Sequence, residues 1–404
     1  MTCRRMLTGM LSELPSKNCW TIAEHAGDAN PHVMQHFLSR ARWDDDGAGE
    51  DLREYVVDAL GDDDVVLVLD ETGDLKNGSM SVGVQRQYTG TAGRIENAQV
   101  AVYLGYGTAS GYTLLDRELY LPKSWAADAE RRAGAGVPPQ VEFATKGELG
   151  RGMVARFLDA GGRASWLTGD EVYGDDPKLR EFAESRDLDY VMAISCNRHV
   201  TTIGGRTGRA DEIVASLSAR KWHTISAGDG AKGPRFYDWA HVALRADPDA
   251  AAGHRWLLAR RNRTTGEIAY YRCFSTGLPR LGTLARVAGR RWSIEVNFQH
   301  AKTLVGLDQH QVRTWTSWRR WTLLGMLALA LLTAQSAAAA SEQSRHPQHG
   351  LIALTRNEIR HLLSVLIIAP VRTIGQIIHW STWRRHHQHQ ARTSHYQRRS
   401  AQTA

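Results

Sequence analysis

The chain has 404 residues, 42% of them hydrophobic, and lysine plus arginine exceed aspartate plus glutamate by 50 to 43. A chain of this length and composition can bury a substantial core, and its length favours two or three domains. These numbers exclude a small peptide and a disordered tail. The net charge of +7 favours a polyanionic partner.

The cysteines and the N-terminal segment bear on the compartment. The four cysteines lie far apart and form no C-x-x-C pair, which argues against a zinc ribbon and against a disulfide framework. The first residues lack an apolar stretch long enough for a secretory signal. We therefore expect a cytoplasmic, nucleoid-associated protein.

One segment, residues 321–340, contains no charged residue and is long enough for a membrane span. Its second half consists of alanine, serine, glutamine and threonine, which are weakly apolar. A helix that is hydrophobic all round is also typical of the core of a large domain. We favour a packing helix and expect no membrane association, with a membrane anchor as the alternative.

Residues 1–60 are predicted to be helical and to bind DNA. A helix over Thr21–His25, a break at 27–31 and a second helix over His32–Arg42 resemble a helix-turn-helix. Any helical hairpin would show the same pattern.

From Val65 onward the pattern changes to strands. The run Val65–Leu69 is continuous and aliphatic, as in a strand buried on both faces, and it ends at Asp70. Further strands are predicted at 98–105, 112–121, 164–167 and 189–194, and helices at 146–160 and 176–185. The order β-β-β-α-β-α-β predicts an α/β ribonuclease-H-like fold, a mixed sheet with helices on its faces.

The rest of the chain divides into three parts. The first part of the catalytic core is predicted to span residues 61–195. Residues 196–276 contain four short strand-like runs separated by turns, which predict a β-rich insertion into this core. Residues 277–340 resume the core with helices. Residues 341–404 are predicted to form a helical C-terminal region that ends in a basic tail.

Three carboxylates are candidate metal ligands: Asp70 and Asp170, each near the end of a predicted strand, and Glu295 on a helix. An aspartate after a strand is often only a helix cap, and Glu295 would ordinarily pair with Arg291 one turn earlier. Placed together on the ribonuclease-H-like order, however, the three would repel one another unless cations bridged them. Two Mg²⁺ or Mn²⁺ ions would satisfy them and support phosphoryl transfer.

The blocks VLVLDETGD, SWLTGDEVYG and RRWSIEVNFQHAK resemble the three catalytic blocks of DDE transposases from bacterial insertion sequences. They resemble the branch with a β-strand insertion and the signature Y-x2-R-x3-E-x6-K. Arg291, Glu295 and Lys302 match this signature, whereas its tyrosine position is Ala288. The resemblance implies metal-dependent cleavage at transposon ends and strand transfer into target DNA. It also implies double-stranded DNA with terminal inverted repeats as substrate, and a homodimer that synapses two ends.

By the same resemblance, Arg291 and Lys302 would contact DNA phosphates. Residues of the polar segment after Asp70 are further candidates, and a solvated turn is the alternative for them. These further candidates are Lys76, Arg86, Tyr88 and Arg94.

The rival hypothesis is an inactive or truncated transposase remnant that only binds DNA. The chain starts almost directly at RRMLTGML, which is shorter at the N-terminus than we expect of the family.

Overall fold

The computed structural model describes residues 2–61, 64–230, 233–246, 250–346, 352–368 and 373–403. The chain begins with four helices, α1 (Thr2–Leu11), α2 (Cys19–His25), α3 (His32–Ser39) and α4 (Gly47–Leu60). Helix α2 starts where the Asn18 side chain accepts hydrogen bonds from the first turn, and Thr21 completes this capping box. The acidic stretch before β1 folds as α4, which buries Leu52, Val56 and Leu60 and exposes its charged face.

The next segment forms the core sheet and its helices. Its strands are β1 (Val66–Leu75), β2 (Gln85–Thr89), β3 (Arg94–Gly107), β4 (Tyr112–Leu119), β5 (Trp166–Gly169) and β6 (Asp189–Ile194). Between β4 and β6 lie helices α5 (Lys123–Ala127), α6 (Ala129–Gly134), α7 (Lys146–Asp159), α8 (Glu171–Gly174) and α9 (Pro177–Ser185).

The strand order identifies the fold. The sheet runs β4-β3-β1-β5-β6, with β1 antiparallel to β3 and parallel to β5, and with β5 parallel to β6. Three antiparallel strands followed by two parallel strands joined through helices are the ribonuclease-H-like arrangement. The predicted fold class is confirmed.

Strand β1 is longer than the sequence pattern predicts. It continues past Asp70 to Leu75 because β3 extends equally far and pairs with it from Tyr103 to Ala98. Strand β2, which the sequence did not predict, pairs with the adjoining part of β3, from Ala98 to Arg94. The sequence pattern missed this extension because its residues are mostly polar. They are held in the strand by backbone pairing with β3, and no aliphatic run marks them.

Residues 196–276 form β7 (His199–Thr201), β8 (Thr207–Arg209), α10 (Ala210–Ala215), β9 (His223–Gly230), β10 (Gly233–Leu244), β11 (His254–Arg261) and β12 (Ile268–Ser275). Strand β12 pairs antiparallel with β6, and β11, β10 and β9 follow in order. The four strands therefore extend the core sheet, whereas the sequence suggested a sheet of their own. Sequence periodicity predicts strands but not their hydrogen-bonding partners.

The chain ends in helices α11 (Leu281–Arg290), α12 (Trp292–Val305), α13 (Trp315–Arg345), α14 (Arg356–Leu366) and α15 (Ile374–Thr403). Helix α13 passes the predicted domain limit at residue 340 without a break.

Helix α13 contains the uncharged segment found in the sequence. Among the described residues it is the one helix long and apolar enough to cross a membrane, and 56% of its most apolar window is buried within the protein. Trp315, Trp318 and Trp321 are all buried. This burial favours the packing helix over the anchor.

Contact between α11 and β9 joins the insertion to the second part of the core. A Cβ atom added at Gly289 of α11 would lie 1.9 Å from the carbonyl oxygen of Ala227 on β9. Gly282 on the same helix has no atom within 4 Å of such a Cβ.

We expect Gly289→Ala to lower the free energy of unfolding by about 1–3 kcal/mol, because the helix must move away from β9. The matched control Gly282→Ala should change it by less than about 1 kcal/mol. Urea unfolding followed by tryptophan fluorescence measures both variants. Equal midpoints for the two variants would contradict the close approach of α11 and β9.

Candidate active site

The carboxylates of Asp70 and Asp170 lie next to each other because their strands are parallel neighbours. Leu69 of β1 is in register with Gly169 of β5, so that the residue after each pair is an aspartate. The Asp170 side chain caps α8 by accepting a hydrogen bond from the Val172 amide at 2.9 Å. The Asp70 side chain accepts a hydrogen bond from the Glu71 amide at 2.8 Å.

Burial and neighbouring carboxylates shift the pKa of both carboxyl groups. Burial, together with the charges of Asp170 and Glu71, raises the pKa of Asp70 to about 8, against the lowering effects of the Glu71 amide and the Arg291 charge. Burial and the charge of Glu71 raise the pKa of Asp170 to about 6. Among the described residues, no lysine, arginine or histidine forms an ion pair with either aspartate. Neither aspartate therefore has an ion-pair partner among these residues, and the Arg291 charge only partly offsets the rise in their pKa values.

Glu71 is a neighbouring carboxylate that the sequence analysis did not single out. The Lys146 ammonium on α7 donates a hydrogen bond to its Oε1 at 2.6 Å, and the Tyr173 hydroxyl donates to its Oε2 at 2.8 Å. These contacts tie β1, α7 and α8 together beside Asp70. The available signals were the block DETGD and the tyrosine of SWLTGDEVYG, but only the fold brings them together.

Helix α12 carries Glu295 and is held against the sheet by the residues predicted to face inward. Ile294 and Phe298 are both buried, and the Phe298 ring lies 5.4 Å from that of Tyr103 on β3. The Glu295 side chain is 39% exposed and lies 3.6 Å from the Arg291 guanidinium. Burial raises the pKa of Glu295, and the Arg291 charge opposes that rise.

Arg291 is the cation that acts on all three candidate carboxylates. Its charge lowers the pKa of Asp70, of Asp170 and of Glu295, in each case against a larger effect of burial. The structure brings Asp70 and Asp170 together and places Glu295 beside Arg291. Among the described residues, no three His, Cys, Asp or Glu side chains are grouped closely enough to hold a metal ion.

The aspartate pair fits a divalent cation in its donor chemistry. Mg²⁺ and Mn²⁺ prefer carboxylate oxygens, and these two carboxylates lack a cationic partner while being largely buried. Glu295 supplies the same chemistry but is engaged by Arg291.

Lys302 and Lys76 lie in a charge cluster around Asp74, at the far end of β1. The Lys302 ammonium donates to the Thr72 hydroxyl at 2.7 Å and lies 3.8 Å from Asp74. The Lys76 ammonium donates to the backbone carbonyl of His310 at 3.3 Å. Burial raises the pKa of Asp74, but the hydrogen bond and charge of His310, with both lysines, lower it further. These contacts tie β1 to α12 and to the segment that follows it.

Arg86, Tyr88 and Arg94 lie on the hairpin formed by β2 and β3. Tyr88 is 63% exposed and is in register with the exposed Ile95, while Arg86 is also exposed. Arg94 is exposed and pairs with Glu96 at 2.8 Å. The hairpin therefore presents an aromatic and cationic surface to solvent.

Ala288, which replaces the signature tyrosine, is buried on α11 and is 3% exposed. This position therefore faces the core in this chain and has no side chain that reaches DNA.

Comparison with known proteins identifies the family of the chain. A family model described as DDE superfamily endonuclease matches residues 1–209, more than half of the chain. The chain belongs to the DDE superfamily of endonucleases. The matched residues include Asp70 and Asp170.

A curated relative from Microchaete diplosiphon is described as a probable transposase for insertion sequence element IS701. It is 30% identical over 194 residues, which is 48% of this chain and 48% of the relative. The chain thus matches about half the length of that relative. The resemblance to a DDE transposase of an insertion sequence is confirmed.

Two solved structures are similar at low identity. The piggyBac transposase synaptic complex with hairpin DNA gives a TM-score of 0.39 at 11% identity, covering 78% of this chain and 56% of that chain. The NurA nuclease from Sulfolobus solfataricus gives 0.28 at 9% identity, covering 64% of this chain and 86% of that one. Both likenesses are too distant to bear on function.

The raised pKa of Asp70 predicts a pH-dependent loss of stability. The group has an ordinary pKa of 3.8 when unfolded and about 8 when folded, so folding takes up a proton between these values. Its contribution therefore destabilises the fold progressively as pH rises from about 4 to about 8. Asp70→Asn removes this contribution, and its melting temperature should exceed that of the wild type increasingly across this window.

The measurement is thermal unfolding in EDTA at pH 5 to 8.5. Glu181→Gln, which alters an exposed carboxylate on α9, is the control and should follow the wild type. A constant difference between Asp70→Asn and wild type across the window would contradict the repulsion at this site.

Proposed function

We propose that the protein is a transposase of the DDE type, which cleaves DNA at the ends of its element and joins the freed 3′ ends to target DNA. The observation that carries the proposal is the pair of uncompensated carboxylates, Asp70 and Asp170, at neighbouring parallel strands of a ribonuclease-H-like sheet. Membership of a superfamily of endonucleases supports it.

Asp70, Asp170 and Glu295 are the proposed ligands of two Mg²⁺ or Mn²⁺ ions. When bound, such ions activate an attacking water or 3′-hydroxyl and stabilise the leaving oxygen of an in-line phosphoryl transfer. Without a cation between them Asp70 and Asp170 repel, and Glu295 is paired with Arg291.

The residues around the aspartates have separate proposed tasks. Lys146 and Tyr173 hold Glu71 and so fix the end of β1 against α7 and α8. Arg291 would pass from Glu295 to a DNA phosphate, since an arginine fork suits phosphate oxygens as well as carboxylates.

The proposed DNA contacts lie on two sides of the extended part of β1. On the hairpin, Arg86 and Arg94 would contact the backbone and Tyr88 would stack on an unpaired base. Lys302 and Lys76 would act from the Asp74 cluster, where they already hold β1 in place.

The proposed substrate is double-stranded DNA with terminal inverted repeats, and a homodimer would synapse two ends. The proposed location is the cytoplasm, at the nucleoid.

A remnant that binds DNA without cutting it is the second candidate. Two observations favour it: Glu295 is not grouped with the aspartates, and the signature tyrosine is replaced by the buried Ala288.

Cleavage assays with substituted carboxylates separate the two candidates. On duplex DNA carrying the inverted repeats that flank the gene, with Mg²⁺, we expect Asp70→Asn, Asp170→Asn and Glu295→Gln each to cut at least about a thousandfold more slowly. Glu181→Gln should cut at the wild-type rate. Nicking by the three variants at that rate would show that the metal ligands are misassigned. A wild-type chain that binds the repeats but never cuts would support the remnant.

Metal binding has its own readout in thermal stability. Mn²⁺ should raise the melting temperature of the wild type, because a bound cation cancels the repulsion between Asp70 and Asp170. Asp170→Asn should lose most of this rise, while Glu181→Gln should keep it. An equal rise in all three proteins would place the bound ion elsewhere.

A further inference from the structure

The two ends of the chain meet at a cluster of aromatic rings. Helix α15 packs against α2, and the Trp383 ring lies 4.5 Å from the Trp20 ring in an edge-to-face arrangement. Trp380 is 2% exposed and its indole donates a hydrogen bond to the carbonyl of Asp28 at 2.8 Å. The same Trp383 ring lies 6.3 Å from the ring of His32, at the start of α3. Aromatic burial of this kind fixes α15 to the N-terminal helices.

The acidic side chains at this junction are compensated. Arg384 of α15 pairs with Glu24 of α2 at 2.6 Å, and Arg5 of α1 pairs with Asp28. The carboxylates of Glu24 and Asp28 are therefore engaged by Arg384 and Arg5.

Exposed arginines remain just beyond the C-terminal end of α3 and on α15. Helix α15 contains no aspartate or glutamate over its 30 residues. The segment from α3 to Arg42 also contains none. Arg40, Arg42 and Arg385 are exposed, and in the described part of the chain none of them pairs with a carboxylate.

We propose that α3 and α15 form one binding surface for the phosphate backbone of duplex DNA, assembled from both ends of the chain by the Trp20–Trp380–Trp383 cluster. This proposal rests on the proposed function for the choice of DNA as the ligand. The surface itself does not include Asp70 or Asp170. This extends the predicted N-terminal DNA-binding region by a C-terminal helix that sequence order places far from it.

Charge complementarity selects DNA as the occupant. A helix of 30 residues is about 45 Å long and can follow a duplex over more than one turn. Duplex DNA carries one negative charge for about every 1.7 Å of its axis, which matches a long surface free of acidic residues. The acidic helix α4 of a second copy is the rival occupant.

The test measures binding separately from cleavage. Fluorescence anisotropy gives the Kd of the full-length Asp70→Asn protein in EDTA for a labelled duplex of arbitrary sequence, at several salt concentrations. Arg40→Glu combined with Arg385→Glu should raise Kd about tenfold or more and reduce the slope of log K against log salt by about two.

The matched control is Arg163→Glu combined with Arg220→Glu, two exposed arginines outside α3 and α15. It carries the same change in net charge and should raise Kd by no more than about twofold. Equal effects of the two double variants would overturn the proposal, because net charge alone would then explain the binding.

A second pair of variants tests the aromatic cluster. Trp383→Ala should weaken DNA binding by releasing α15, while Trp383→Phe, which keeps a ring against Trp20, should bind nearly as the parent does. Circular dichroism shows whether each variant is folded. Unchanged binding by a folded Trp383→Ala protein would overturn the composite surface.

Light scattering after gel filtration addresses the rival occupant. The parent protein and the Arg40→Glu/Arg385→Glu variant are compared. If the parent is a dimer and the variant is a monomer, while the Kd for DNA is the same in both, the surface joins two copies and the proposal is wrong. The wild-type protein, which keeps Asp70, distinguishes this proposal from the proposed function. If it does not cut its terminal repeats but its DNA binding still depends on Arg40 and Arg385, the proposed function is contradicted and this surface is supported.

Discussion

The placement of two half-buried acidic side chains, Asp70 and Asp170, on neighbouring strands is the constraint on which the rest of the site depends. Parallel pairing of β1 with β5 places the two carboxylates side by side, and burial deprives them of the solvent that would screen them. Neighbouring cations reduce the negative charge around the two aspartates. Lys146 pairs with Glu71, and the Arg291 charge lowers the pKa of both Asp70 and Asp170.

The sheet explains how so polar a centre is tolerated. Strand β1 is buried from Val66 to Leu69 and is paired on both sides there, so that the backbone is held firmly just before Asp70. The insertion extends the same sheet through β12 and β6. Contact of α11 with β9 then ties this extension to the helix that precedes Glu295. The insertion is thus part of the same sheet as the site and does not form a separate domain.

The basic residues divide into internal and external groups. Lys302 and Lys76 are held around Asp74, where they link β1 to α12 and to His310. Arg86 and Tyr88 on the hairpin and Arg385 on α15 face solvent. The net charge of the chain does not show this division. The division separates cations that are already engaged around Asp74 from cations that face solvent and can contact a polyanion.

The sequence alone determined most of the core strands, the two aspartates that follow aliphatic runs and the inward face of α12, because aliphatic runs and helical spacing are local properties. Tertiary structure decided the remainder. The length of β1 follows from pairing with β3, and the partners of Glu71, Lys302 and Trp383 come from segments distant in the chain. Such contacts depend on which surfaces meet in space, and no local pattern records that. The sequence also indicated the pairing of Glu295 with Arg291 one turn earlier, whereas only the fold showed that, among the described residues, Glu295 is not grouped with the two aspartates.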